Sequence, residues 1–244
     1  MSLDVAYLLN VIPKILKSFP TTLYMTVIPM AVGLVLGLVM QNIATSKLAC
    51  LKWLRLLLNG FIVLVRSIPI ILQLLILYFV FPRIFSFMNG WNKTTYVIIT
   101  FSIVVGVSAC ETFRAAYESI DRGQHEAGIS IGYTGFQTWL HIIFPQMIFI
   151  ALPNLVNLLI TMLKDTSLAF SLGVTDMIGY AKILDANAYG MKRTEIYLAV
   201  ALIYWALTIL LEKSTRLIEQ YLAKGNRGMG SIIRTQANRR KETA

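Results

Sequence analysis

The 244-residue chain is short of charge and of the side chains that carry out chemistry. Charged residues make up 14% and apolar ones 57%, where soluble domains carry about 25% and 45–50%. Together with a mean hydropathy of +0.67, this excludes an ordinary soluble enzyme domain and a disordered chain. The two cysteines, Cys50 and Cys110, fit no metal-ligand spacing and read as reduced thiols. The two histidines, His125 and His141, share one loop with no nearby Cys, so no zinc or haem set forms. There is no Ser/His/Asp set for proteolysis and no Gly-x-x-x-x-Gly-Lys-Ser/Thr phosphate loop. The alternating ten-residue pattern of a membrane barrel is missing as well.

Long apolar runs are what the chain does have. Five stand out, at about 19–40, 56–81, 94–113, 142–163 and 196–211. With boundary residues included, each can cross the roughly 30 Å hydrocarbon core as a helix. The reading is an all-α integral membrane protein with five transmembrane helices. Lys14 and Lys17 precede a run too long for a signal peptide, with no small-x-small cleavage site, so that run stays as a first span. The basic excess, 22 Lys+Arg against 12 Asp+Glu, belongs to loops rather than to nucleic acid. Thirteen of those cations fall on one side of the spans and seven on the other, eight of the thirteen after Glu212. The positive-inside rule then puts the N-terminus outside and the C-terminus in the cytoplasm. Residues 1–225 form the transmembrane domain, with a cytoplasmic loop at about 115–141. Residues 226–244 are a basic cytoplasmic tail.

That loop reads Glu126-Ala127-Gly128-Ile129-Ser130-Ile131-Gly132, then nine residues, then Ile142-Ile143-Phe144-Pro145. It resembles the EAA loop of ABC importer permeases, with both spacings kept. Gly128 replaces the second Ala and Phe144 a Leu. Physically, a short helix there can dock on a soluble partner. Glu126 near its start suits the helix dipole, Ala127 and Gly128 keep the face thin, and Gly132 can end the helix left-handed. Further stretches resemble polar amino-acid permeases: Thr21–Thr26, Arg66-Ser67-Ile68-Pro69 with Gln73, Glu111–Arg114, and Lys164-Asp165-Thr166-Ser167-Leu168 followed by Gly173-Val174. The cystine-importer subgroup is the nearest resemblance.

The resemblance implies an ABC type I importer permease fold with a coupling helix between spans three and four. It implies a bacterial cell-membrane subunit without catalytic power, moving a polar amino acid inward. L-cystine is the first candidate; glutamine, arginine or histidine, and a secondary transporter working without ATP, are the alternatives. Its partners would be two ABC ATPase subunits holding ATP and Mg, a second identical or related permease, and an external solute-binding protein. No cofactor is bound by this chain. Glu126, Ala127, Gly128 and Gly132 would couple to the ATPase. Arg66, Gln73, Lys164, Asp165, Thr166 and Ser167 would form the substrate set.

Charges within spans are costly and read as functional. Arg66 follows Arg55 by eleven residues, roughly 16 Å of helix and so near the midplane. Its two-pronged donor suits a carboxylate, and a structural pair with Glu111 is the alternative. Glu111 sits near the cytoplasmic end of span three, where Arg114 on the same face offers a local pair. Lys164 to Ser167 could receive both ends of a zwitterion, or cap a helix. Pro69, Pro145 and Pro153 are expected to bend their spans. Gly33 and Gly37 form a small-xxx-small step suited to close helix packing.

Overall fold

The computed structural model describes residues 3–46 and 51–225. Lys47, Cys50 and the basic tail 226–244 lie outside the described residues. All regular structure among the described residues is helical. Four stretches are long and apolar enough to cross a membrane: Phe19–Thr45, Lys93–Glu118, Gly135–Leu172 and Arg193–Ile218. The helices are α1 (Val5–Leu16), α2 (Phe19–Thr45), α3 (Lys52–Ser67), α4 (Ile70–Phe79), α5 (Phe81–Ile84) and α6 (Lys93–Glu118), then α7 (Gly123–Ser130), α8 (Gly135–Thr138), α9 (Phe144–Asp165), α10 (Met177–Asn187) and α11 (Arg193–Gly225). They build two compact units, one drawn from Met1–Glu111 with Leu158–Leu207, the other from Thr112–Asn157 with Thr208–Ala244.

The second expected span is not one straight helix. It is the pair Lys52–Ser67 and Ile70–Ile84, bent by 106°. The cause is Pro69, which lacks an amide hydrogen and forces the residue before it out of the helical region. Ile68 is accordingly extended at φ −97°, ψ 128°. Pro153, by contrast, lies within a continuous α9, and Pro145 directly follows the π-turn Trp139–Ile143 within the continuous Gly135–Leu172 stretch, where the wider turn accommodates a residue that has no amide hydrogen.

In the first unit, α2 crosses α6 with almost nothing between the backbones. A Cβ on Gly33 would come within 2.6 Å of Val105, and one on Gly37 within 2.8 Å of the Cys110 amide and the Gly106 carbonyl. The Gly33/Gly37 step is thus a packing seam. On the α3 side, Ile62 and Val65 bury against Val107 and Cys110.

The residues before the first apolar run, which hydropathy alone does not mark as a helix, are helical as well. They form α1, whose Leu8, Val11 and Ile15 pack against Met177 and Ala181 of α10 and Ile196, Ala199, Val200 and Ile203 of α11. Asp4 caps α1 by accepting from the Tyr7 amide at 3.0 Å. Lys192 Nζ reaches the same carboxylate at 2.6 Å, and the Asp4 amide donates to Glu195 Oε1 at 3.2 Å. The hydrogen bond from Lys192 holds the Asp4 carboxyl below its ordinary value of 3.8, and the Tyr7 amide adds to this. A depressed carboxyl stabilises the folded state above its unfolded value and loses that contribution as pH falls through the folded one. The melting temperature of Asp4→Asn should therefore lie below wild type at pH 7, and the gap should close as pH drops below 3.8. A gap unchanged at pH 3 would assign the effect to packing alone.

Candidate functional site

The expected coupling helix is α7, in the second unit. The Asp121 side chain accepts from the Gly123 amide at 2.6 Å at its start, and Glu126 sits in its first turn, facing the positive end of the helix dipole. Gly132 ends it with φ +87°. The Gly132 amide donates to Ile129 O at 2.9 Å and the Tyr133 amide to Gly128 O at 3.1 Å. These are the two bonds of a Schellman stop, which a left-handed glycine permits. A capping box between Thr134 and Gln137 then starts α8. A π-turn at Trp139–Ile143 leads into α9. Gln124 and Gln146 tie the two sides of the elbow by a side-chain bond of 3.0 Å, and the Tyr117 hydroxyl lies 3.4 Å from His125 Nε2.

Glu126, Ala127, Ile129 and Ser130 are exposed on α7. Ile129 is 66% exposed and Phe136 71%, so the elbow presents an apolar surface beside a carboxylate. Gly128 does not belong to that surface. It is buried, and a Cβ there would overlap the Thr138 methyl and stand 2.6 Å from its hydroxyl. The Gly128 departure from the family's Ala is matched by Thr138, a buried threonine whose Oγ1 has no hydrogen bond among the described residues. No spacing rule could have singled out Thr138.

In the first unit Arg66 sits in the last turn of α3, one turn before the break. Its Nη1 lies 3.3 Å from Glu111 Oε2, with 61% of the arginine side chain still exposed. Glu111 does not end its helix. Helix α6 runs on to Glu118, seven residues or roughly 10 Å beyond it. Gln73 is spent on backbone. Its Nε2 donates to Val65 O and Ile68 O, both at 2.7 Å, two carbonyls that the Pro69 break leaves without helical partners.

Lys164 and Asp165 end α9, and Thr166–Leu172 continues as a 3-10 segment closed by left-handed Gly173. Lys164 is exposed, Asp165 and Ser167 half-buried. Thr166 is fully buried, and its hydroxyl donates to Leu163 O at 2.8 Å, so it caps the helix. Behind it lies a polar set. Asp176 is buried and caps α10 by accepting from the Gly179 amide at 2.7 Å. The Tyr204 hydroxyl neighbours Asp176 and Thr166, and the Met177 amide donates to Thr22 Oγ1 at 3.3 Å. Burial pushes the Asp176 carboxyl up, against the pull of the Gly179 amide. The helix-start pattern of Asp before an apolar run marks Asp176.

Two substitutions separate the structural work from the surface. Gly128→Ala should cost about 1–3 kcal/mol by overpacking, and Thr138→Ala in the same chain should recover most of it, read as melting temperature. Gln73→Leu should cost about 1–3 kcal/mol by leaving two carbonyls unpaired; unchanged melting would remove Gln73 from this role.

Residues 33–224 match the family described as binding-protein-dependent transport system inner membrane component. The probable amino-acid permease protein YxeN of Bacillus subtilis is 35% identical over 91% of this chain and 97% of its own length. The L-cystine transport system permease protein TcyL of the same organism is 32% identical, covering 87% of this chain and 89% of TcyL. A crystal structure of an amino-acid ABC transporter with histidines superimposes with a TM-score of 0.79 at 26% identity, over 91% of this chain and 100% of that one. The apolar helices, the EAA-type elbow and these matches make the chain a membrane-embedded member of the binding-protein-dependent inner membrane component family, among the permease subunits of amino-acid ABC importers.

Proposed function

We propose that the chain imports a polar amino acid, L-cystine first among candidates, driven by ATP hydrolysis in two partner subunits that seat on α7. Carrying this reading is the exposed face of Glu126, Ala127 and Ile129 on a helix braced at both ends. A rigid elbow with an apolar, acid-edged surface can transmit a push, whereas a floppy loop cannot. A second permease subunit, identical or related, completes the pathway, and an external solute-binding protein delivers the substrate. ATP and its Mg stay with the partner subunits. The N-terminus faces outward and the tail lies in the cytoplasm of a bacterial cell.

Within the substrate set, Arg66 and Lys164 supply positive charge for a carboxylate and Asp165 a negative charge for the ammonium. Ser167 adds a hydroxyl. Arg66 keeps most of its surface exposed while leaning on Glu111, so an incoming carboxylate competes with Glu111 for the guanidinium rather than meeting a bare cation. Thr166 and Gln73 shape this region through the backbone bonds they make. The preference for cystine over glutamine, arginine or histidine rests on the likeness to a cystine permease.

The test is uptake of a labelled amino-acid panel, cystine included, by the reconstituted complex with and without ATP. ATP-dependent uptake of cystine is expected, with Glu126→Lys losing about tenfold or more through a broken contact at a packed interface. Arg66→Lys should raise KM more than it lowers the maximal rate, since a point charge replaces a planar fork. Uptake of another amino acid would replace the substrate and leave the coupling role standing. Uptake without ATP, unaffected at Glu126, would return the chain to a secondary transporter.

A further inference from the structure

Helix α1 has three distinct faces. Leu8, Val11 and Ile15 are buried against α10 and α11. Val5, Leu9 and Leu16 form a neighbouring apolar stripe that stays uncovered, at 56%, 61% and 41% exposure. Lys14 and Lys17 are exposed on the remaining side. No acidic residue lies within the helix, and the Asp4 carboxylate just before it is neutralised by Lys192.

Its position follows from chain connectivity and packing. Twelve residues make about 18 Å of helix, too short to cross the hydrocarbon core. Two residues, Lys17 and Ser18, separate it from the 27-residue apolar α2. The α11 residues that it covers begin at Ile196 and end at Ile203, within roughly 15 Å of the charged Lys192-Arg193 pair that precedes that span. Ile196 lies about 5 Å past Arg193, in the boundary layer where interfacial helices lie, while the inner end of the contact at Ile203 reaches toward the midplane. Lysine is depleted from the cores of protein–protein interfaces, so a stripe of three aliphatic residues edged by two lysines fits lipid better than a partner subunit. We infer that α1 is an interfacial anchor whose free apolar stripe enters the lipid boundary while Lys14 and Lys17 take anionic phospholipid headgroups.

The experiment uses the full chain assembled with its ATPase partners, carrying Cys50→Ser; Cys110 is buried. A nitroxide is placed at Leu9→Cys on the stripe, and separately at Asn10→Cys on the polar side. Oxygen and nickel-complex accessibilities are compared in phosphatidylcholine vesicles and in vesicles with about 30% phosphatidylglycerol, an anionic surface that attracts basic segments. The Leu9 label should sit in lipid, more fully in the anionic vesicles, while the Asn10 label stays in water. Lys14→Gln with Lys17→Gln should abolish the difference between vesicles, each lysine accounting for about a fivefold change in the immersed-to-exposed ratio. A Leu9 label shielded from both probes would mean that protein covers the stripe, and would overturn the inference. So would a label in water in both vesicle types, immersion independent of lipid charge, or a charge dependence that survives loss of both lysines.

Discussion

Backbone amides and carbonyls that leave a helix in apolar surroundings must find a partner inside the protein, because lipid offers none. This chain leaves its helices wherever function is expected, and polar side chains meet the resulting demand. Gln73 takes the carbonyls freed at the Pro69 break. Thr166 turns back to Leu163 at the end of α9. Asp176 accepts from the Gly179 amide in the first turn of α10. At the elbow, the Gly132 turn lets the backbone satisfy itself. A chain with 14% charged residues has few polar groups to spare, so several of those nearest the expected substrate path are already committed.

The same economy separates polar groups that stay accessible from those that hold the frame. Arg66, Lys164, Asp165 and Ser167 retain exposure or partial exposure. Their neighbours are fixed by backbone bonds, which keeps the display of charge in register without a rigid side-chain network. Arg66 is steadied by Glu111 without being enclosed. In the proposed site, which would have to both bind and release, that arrangement is workable.

What could be read from the sequence follows physical range. Span positions depend on runs of twenty residues, and four of the five emerged as helices of sufficient length. The α7 stop at Gly132 and the Glu126 position depend on local rules of caps and dipoles, and both are legible. The Gly33/Gly37 step also reads correctly, because close approach needs small residues. The 106° break was invisible beyond the presence of Pro69, since a proline removes a donor but tertiary packing decides whether the helix breaks there and how far it turns; Pro153 lies inside a continuous helix. The inward turn of Gly128 and the partnership with Thr138 are contacts ten residues apart, outside any periodic pattern. Arg66 pairs with Glu111 across two helices, a meeting of residues 45 apart that no local pattern fixes, and the pair leaves the substrate reading of Arg66 open.

The α2–α6 seam has a mechanical consequence. Sliding motions between packed helices depend on side chains that can exchange one rotamer for another as ridges pass grooves. Where Gly37 meets the Cys110 amide, the Gly106 carbonyl and the rotamer-less Cβ of Ala109, there is no such bearing, only backbone and a methyl fixed to it. The two helices are therefore one lever. Any rearrangement of the first unit must carry them together and find its compliance elsewhere, in places where the chain already departs from helix, such as Ile68–Pro69.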